Sequence, residues 1–252
     1  MLKVLKNRLE QGCRTSAYPK VKIELPARYR GRPQVHADAS PEVVALCAAA
    51  CPQEAIDSGR RLVDLGRCVF CGTCERLSEG RFISFSRDFE LSVAVKEHLL
   101  TNGGLLPLAE HAKTHFKKLF GRSLQLRQVS AAGCNACEAD LNVLATPFFD
   151  LARFGINFVA SPRHADGIVV TGPISRNMKA ALLSTYEATP TPKVVIAVGS
   201  CALSGGPFRG SPEVAEGLDS LLPVDLFIPG CPPHPLTILD GLLRLLGQLP
   251  AK

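Results

Sequence analysis

The most informative stretch of the sequence is Val194-Val-Ile-Ala-Val-Gly-Ser-Cys201. Its five consecutive apolar residues run directly into a glycine, a serine and a cysteine. A strand that is apolar on both faces is typical of a parallel sheet covered by helices. Gly167–Thr171 and Val224–Ile228 have the same character, and Leu124–Val129 is a fourth predicted strand. This alternation with helical segments predicts an α/β domain. The helices are expected at Asp140–Phe154 (interrupted by Pro147), Met178–Glu187 and Leu236–Leu246.

Four cysteines lie in the loops that follow these predicted strands. The carboxyl ends of parallel strands meet at one edge of the sheet, where ligands bind. We therefore expect the four thiols to converge, although long stretches of sequence separate them. Four thiolates suit an iron–sulfur cluster or a zinc ion, and the spacing alone also allows incidental core cysteines. The residues are Cys134, Cys137, Cys201 and Cys231.

A second set of cysteines lies nearer the N-terminus, in Cys68-Val-Phe-Cys71-Gly-Thr-Cys74 and in Cys51-Pro52. The bacterial ferredoxin pattern is C-x2-C-x2-C-x3-C-P, in which the fourth cysteine binds the other cluster of a two-cluster protein. Alignment to two copies leaves one complete ligand set, Cys51, Cys68, Cys71 and Cys74. The other set keeps a single cysteine, since its positions are Pro41, Val44, Cys47 and Ser78. The pattern predicts one [4Fe–4S] cluster and one emptied site, and a structural zinc ion is the alternative.

Composition places the chain among globular proteins. At roughly 150 residues per domain, 252 residues suggest two domains. The chain is 46% hydrophobic, and no apolar run is long enough for a transmembrane helix. Because no secretory signal is recognised, a reducing compartment is expected, in which the cysteines stay free thiols. The net charge is +6, with nine Lys and Arg in residues 1–37. Because Trp is absent and Tyr occurs three times, the chain lacks the stacking platform of single-strand nucleic-acid binders.

Changes in composition divide the chain into four predicted parts. Residues 1–40 form a basic arm, either solvated or docked on a partner at a membrane, in which Leu2, Leu5 and Leu9 line one short helix. Residues 41–95 hold the first cysteine set and two short strands, Arg61–Leu65 and Phe82–Phe85. Residues 96–122 are expected to form a linker of two helices around Gly103-Gly104. Residues 123–252 form the parallel-sheet domain.

The C-terminal part resembles a known family. The motifs are Cys134-x2-Cys137-Glu138, Gly167-Ile-Val-Val-Thr-Gly-Pro173, Gly199-Ser-Cys-Ala202 and Gly230-Cys-Pro-Pro233. They resemble the small subunit of membrane-bound, group 4 [NiFe] hydrogenases such as formate hydrogenlyase, which shares its fold with the 20 kDa-type subunit of complex I. The resemblance implies a flavodoxin-like domain whose four thiolates hold a proximal [4Fe–4S] cluster. The C-x2-C spacing is the hydrogenase form.

Residues 1–95, which include the segment Thr15-Ser-Ala-Tyr-Pro19, resemble the polyferredoxin subunit of formate hydrogenlyase, reduced to one cluster in a ferredoxin-like α+β domain. The two resemblances together imply a fused electron-transfer subunit that carries two [4Fe–4S] clusters. Its catalytic centre would lie in a partner large subunit. Membrane subunits and a ferredoxin-type or formate-dehydrogenase-type donor are further implied partners. The implied location is peripheral, on the cytoplasmic side of the membrane, and the alternative is a nickel-free complex I-like quinone or ion-pumping oxidoreductase.

No residues in the chain form a nucleophile–base pair or a nucleotide-binding loop at the required spacing. Most histidines are expected at the surface, and Ser200 in a turn beside Cys201. Glu138 is expected either to gate protons or contact the large subunit, as its family position suggests, or to be a solvent-exposed acid. Cys13 and Cys47 are left over, as a plain thiol and a small core residue. A zinc-stabilised binding module is the hypothesis from another class; nucleic acid is not among the expected partners.

Overall fold

A computed structural model describes residues 2–104, 106–108 and 123–249. The second helix of the expected linker, with His111 and His115, lies outside these residues. Within them, none of the helices combines the length and the apolar character that crossing a bilayer requires.

The N-terminal part repeats a strand–helix–strand unit. Strand β1 (Pro33–Val35) pairs with β4 (Ile83–Phe85), and strand β2 (Ile56–Asp57) pairs with β3 (Leu62–Asp64). Both pairs are antiparallel, and β5 (Leu100–Thr101) adds to β3. The two helices of the repeat, α2 and α3, pack on each other. The elements are α1 Leu2–Gln11, β1 Pro33–Val35, α2 Pro41–Ala49, β2 Ile56–Asp57, β3 Leu62–Asp64, α3 Thr73–Ser78, β4 Ile83–Phe85 and β5 Leu100–Thr101.

The C-terminal part is a five-stranded sheet whose strand pairs are all parallel. Its order, β10-β9-β8-β6-β7, is the 2-1-3-4-5 arrangement of flavodoxin-like sheets. Gly167–Thr171 and Val194–Val198 are buried along their whole length, as expected for central strands. The elements are β6 Leu124–Ser130, α4 Ala136–Val143, β7 Ile156–Phe158, β8 Gly167–Thr171, α5 Arg176–Ala188, β9 Val194–Val198, α6 Ser200–Ser204, β10 Leu226–Ile228 and α7 Pro235–Leu245.

Two predicted helices differ from the structure. The helix expected from residue 96 is a single 3-10 turn, Lys96–Leu99, because Leu100 and Thr101 pair with β3 instead of continuing it. The long helix expected at 140–154 ends at Val143, and a separate 3-10 turn follows at Leu151–Phe154. Pro147 lies between the two, where it cannot supply a helical N–H.

The two faces of the sheet pack in different ways. Val169 and Ile196 point to one face, which is covered by α4 and α7. Ile168 and Val195 point to the other face, where residues of the N-terminal part such as Leu65 join the core. An isolated bridge between Val93 and Phe227 also ties the N-terminal part to β10. The two parts therefore share one buried interface.

The basic arm folds back onto helix α7. The hydroxyl of Tyr18 donates a 2.7 Å hydrogen bond to Asp240, and Arg244 bridges Asp240 and Glu90 at 2.9 and 3.3 Å. Tyr18 and Leu25 are both buried in the core beside the sheet. The prediction of a solvated arm is therefore wrong for this stretch. Helix α1 differs, since none of its residues is buried.

Candidate metal centres

The C-terminal cysteines lie at one edge of the sheet, as the strand pattern predicts. Cys134 and Cys137 follow β6, Cys201 lies in the first turn of α6 after β9, and Cys231 follows β10. Strand β8 separates β6 from β9 in the sheet. At that position Gly172 has φ +85, and a Cβ there would meet the backbone nitrogen of Gly133. Because Gly172 has no side chain, the loop after β8 can approach Gly133 in the loop after β6. This close approach lets the loops that carry the four cysteines lie together.

The thiols of this set affect one another's charge. Burial raises the pKa of Cys137, and the neighbouring groups of Cys201, Glu138, Cys231 and Cys134 raise it further. Burial together with Cys231 and Cys134 raises the pKa of Cys201 to about 11. Four thiolates at this spacing repel one another, so a positively charged group is needed to hold them deprotonated. The donor set is thiol sulfur throughout, which suits iron–sulfur chemistry.

Glu138 lies at the base of this site and is 5% exposed. Its Oε1 accepts 2.6 Å hydrogen bonds from the hydroxyls of Ser130 and Thr171. Burial acts to raise the pKa of Glu138, but these two hydrogen bonds outweigh burial, and the net shift is downward. The alternative of a solvent-exposed acid is therefore wrong, and the carboxylate is held in one orientation beside Cys137.

The N-terminal cysteines line one cavity. Cys51 follows α2, Cys68 and Cys71 lie between β3 and α3, and Cys74 lies in the first turn of α3. The cavity also has an apolar wall that includes Val63, Ile83 and Phe85. Backbone N–H groups of Ala55 and Phe70 point at the sulfurs of Cys51 and Cys68 at 3.3 and 3.4 Å. The thiols lining the cavity are Cys51, Cys68, Cys71 and Cys74.

The protonation of this set follows the same physical causes. Burial raises the pKa of both Cys68 and Cys74 to about 12, and the neighbouring thiols add to the shift. Burial acts in the same direction on Cys71, but hydrogen bonds with Thr73 and the charge of Arg76 outweigh it and lower the pKa. Metal binding at such a site releases protons.

The emptied site of the sequence alignment is filled by side chains. Cys47 and Ser78 are fully buried, and Val44 is 2% exposed. The sulfur of Cys47 lies 3.5 Å from the carbonyl oxygen of Cys74. Cys47 therefore packs as a small core residue, as the sequence indicated, while Cys13 is exposed.

In the described part of the chain, the predicted cysteine ligands do not form a site for a single metal ion. Across residues 2–104, 106–108 and 123–249, no group of three or more His, Cys, Asp or Glu side chains is placed so that it could hold a metal ion. A cubane does not require that grouping, because each of its thiolates binds a different iron atom. The predicted ligands thus lie in two sets of four, and their role as ligands stays a prediction.

Sequence reasoning missed three contacts near the sites. Arg30 of the arm lies against Gly72 of the first cysteine loop and pairs with Glu75 at 3.8 Å. Tyr29 packs edge-on against His234, three residues after Cys231. Ser200 bonds to the loops of both cysteine sets. The only signal for the arm contacts is the presence of tyrosines in an otherwise basic segment.

Comparison with known proteins places the C-terminal part in a family. Residues 134–245 match the family model described as NADH ubiquinone oxidoreductase, 20 Kd subunit. The probable membrane-bound hydrogenase subunit mbhJ of Pyrococcus furiosus is 40% identical over 150 residues, which cover 60% of this chain and 90% of that protein. The matched region contains all four cysteines of the C-terminal set, and the N-terminal set lies outside it.

Two further relatives have different names. Formate hydrogenlyase subunit 7 of Escherichia coli is 41% identical over 140 residues, 56% of this chain and 55% of its own length. An NADH-quinone oxidoreductase subunit of Heliobacterium modesticaldum is 43% identical over 125 residues, 48% of this chain and 71% of that protein. The chain thus spans about half the length of the E. coli relative. With a sheet of flavodoxin-like order and a relative at 40% identity that is matched over 90% of its length, the chain belongs to the family of the 20 kDa subunit of NADH ubiquinone oxidoreductase and is an oxidoreductase subunit.

Proposed function

We propose that this chain is the electron-transfer subunit of a membrane-associated group 4 [NiFe] hydrogenase complex of the formate hydrogenlyase type. It relays electrons through two [4Fe–4S] clusters to or from an active site in a partner large subunit. The observation that carries the proposal is the presence of two sets of four thiols in loops that contact each other. The proximal cluster is held by Cys134, Cys137, Cys201 and Cys231.

The second cluster is held by the N-terminal thiols in a ferredoxin-like domain, which the sequence predicts at residues 41–95 and to which β1 at Pro33–Val35 adds through its pairing with β4. The double strand–helix–strand unit supports this fold, as does the N–H···S contact at Cys51 and at Cys68. When bound, a cluster supplies one-electron transfer at a potential that hydrogen bonds and exposure tune. The apolar wall of the cavity excludes water there, and Thr73 and Arg76 hold the loop around Cys71. The ligands are Cys51, Cys68, Cys71 and Cys74.

The whole chain is, on this proposal, a fusion of a polyferredoxin-type subunit with a hydrogenase small subunit. The shared core between the two parts supports a fused unit. Its partners are the large subunit, the membrane subunits of the same complex, and a ferredoxin-type or formate-dehydrogenase-type donor. The relatives named as hydrogenase and formate hydrogenlyase subunits favour this assignment.

The alternative is the equivalent subunit of a nickel-free complex I-like oxidoreductase that acts on quinone or pumps ions. The relative from Heliobacterium modesticaldum is named as an NADH-quinone oxidoreductase subunit, and it is as similar as the hydrogenase relatives over the region that it matches. The two functions share the proximal cluster and differ in the partner large subunit. Nickel in the purified complex separates them.

Metal content of the complex, purified anaerobically through a tag on this chain, tests the proposal. We expect about eight iron atoms per chain from this subunit and one nickel per complex. Eight or more iron atoms without nickel would favour the complex I-like alternative. Stoichiometric zinc with little iron would contradict both and leave a zinc-stabilised binding module.

A peripheral position on the cytoplasmic face of the membrane completes the proposal, with helix α1 of the 1–40 arm as the docking element. Leu2, Leu5 and Leu9 of α1 are 84%, 57% and 85% exposed and lie on one side of the helix. Lys3 and Lys6 adjoin them, and a basic amphipathic helix of this kind lies in the surface of an anionic bilayer. The charge of the arm selects such a bilayer as its partner.

Flotation with vesicles that contain anionic lipid tests the arm. Leu5→Glu with Leu9→Glu removes apolar area from the helix, so we expect the bound fraction to fall at least fivefold. Val21→Glu is the control, because Val21 is 58% exposed but lies outside α1. Equal binding by all three proteins, or equal binding to neutral vesicles, would contradict membrane docking through this helix.

A further inference from the structure

Ser200 touches the loops of both cysteine sets. Its hydroxyl lies 2.8 Å from the carbonyl oxygen of Cys68 and 3.1 Å from that of Gly230, and shares its single hydrogen between them. Its backbone N–H also donates to Gly230 at 2.9 Å. Ser200 is 1% exposed and directly precedes Cys201. One buried serine thus joins a ligand loop of the N-terminal set to two ligand loops of the C-terminal set.

A second serine on the same helix makes a similar contact away from the ligands. The hydroxyl of Ser204 bonds to the carbonyl oxygen of Gly66 at 2.9 Å and to that of Ser200 at 3.0 Å. Gly66 precedes Cys68 by two residues, and a Cβ at Gly66 would lie 3.8 Å from the Cβ of Leu203. Helix α6 therefore lies against the segment that leads into the first cysteine loop, and Ser204 provides a matched comparison for Ser200.

A short bonded route between the two sets passes through Ser200. From Cys68 it crosses one hydrogen bond to the hydroxyl, then runs through the residue and one peptide bond to Cys201. We propose that Ser200 is a positioning residue that fixes the two clusters relative to each other and carries the electronic contact between them. This inference rests on the proposed two-cluster function and adds to it the residue that couples the clusters.

Electron paramagnetic resonance of the full chain, purified anaerobically and reduced with dithionite, tests the inference. Two clusters in contact give a spectrum split by magnetic interaction. We expect the same splitting in the wild type and in Ser204→Ala, and a splitting at least twofold smaller in Ser200→Ala at unchanged iron content. Both substitutions remove one buried hydroxyl from α6, so a general effect on packing would change both spectra alike.

The remaining outcomes contradict the inference. Equal splitting in the three proteins overturns the role of Ser200 and leaves the two-cluster function standing. Equal loss of splitting in both variants assigns the effect to the packing of α6, and iron loss confined to Ser200→Ala assigns the serine to cluster retention. About four iron atoms per wild-type chain would overturn the proposed function and the inference together.

Discussion

Gly199 shows how a single residue shapes a candidate metal centre. It has φ +87, a conformation that glycine adopts at little cost, and it joins β9 to the first turn of α6. A Cβ at this position would lie 2.6 Å from the sulfur of Cys137. The sulfur occupies the space that any other side chain would fill. The absence of a side chain at Gly199 therefore leaves room for one thiol of the C-terminal set.

Gly199→Ala is expected to remove about four iron atoms per chain, because the added methyl group displaces the sulfur of Cys137. Gly210→Ala is the control, since Gly210 has φ +83 and nothing lies within 4 Å of a Cβ there. Both glycines have a positive φ, so both substitutions place an L side chain in a conformation that it rarely adopts. Iron analysis of the anaerobically purified proteins measures the effect, and similar iron contents in the two variants would contradict the proposed ligand.

Tyr18 anchors the basic arm to helix α7. Its hydroxyl donates to the buried carboxylate of Asp240, and its ring packs edge-on against Phe89. Tyr18→Phe is expected to lower the free energy of unfolding by about 1–3 kcal/mol, because Asp240 loses a donor that water cannot replace. Tyr186→Phe, at a partly exposed ring on α5, should cost less than about 0.5 kcal/mol. Urea denaturation of the variants measures both, and equal costs would contradict the anchor.

Helix α7 is the most buried helix of the described chain. All eleven of its residues are buried, although Asp240 and Arg244 are charged. In a buried ion pair each charge compensates the other. Removal of one partner leaves an uncompensated buried charge, which destabilises the fold. The helix thus depends on Arg244 for its polar side.

Arg244→Met is expected to lower the free energy of unfolding by about 3–5 kcal/mol, because Asp240 and Glu90 lose the guanidinium between them. Arg209→Met breaks a pair with Glu54, whose carboxylate is 77% exposed, and should cost less than about 1 kcal/mol. Chemical denaturation compares the two. A loss below about 1 kcal/mol for Arg244→Met would show that the buried network adds little to stability.

Among the helices and strands, the bounds of the strands buried on both faces are the ones best predicted from the sequence. Gly167–Thr171 and Val194–Val198 were predicted with the bounds that the structure has, because a short apolar run that ends at a glycine favours a buried strand. Strand β7 was missed, since Ile156–Phe158 is three residues long and has a polar residue at its centre. The helix predicted from residue 96 was wrong because local periodicity does not register the pairing with β3.

The two parts of the described chain share a buried interface. Leu65 and Phe82 join the core on one face of the sheet, and Ser92 donates to the carbonyl of Thr237 on α7 at 3.2 Å. The convergence of the C-terminal cysteines was predictable from strand ends alone. The contact between the two cysteine sets was not, because it depends on how two separately recognisable motifs pack.

Expression of residues 123–252 without the N-terminal part tests this interface. The fragment would expose apolar area on the sheet and one side of α7 that the arm covers, so we expect it to aggregate or to melt at least about 5 °C below the full chain. Size-exclusion chromatography and thermal melting measure the two outcomes. A monomeric fragment with the melting temperature of the full chain would contradict a stabilising interface.

The Tyr18–Asp240 bond has a consequence for synthesis. The two residues are 222 positions apart. At a synthesis rate of about 5–20 residues per second, Asp240 is therefore made about 11–44 s after Tyr18. Ser200 follows Cys68 by 132 positions, a delay of about 7–26 s at the same rate. During that time the nascent thiols of the first loop lack the cover of α6, so they are most accessible to chaperones, oxidants and iron delivery before the chain is finished.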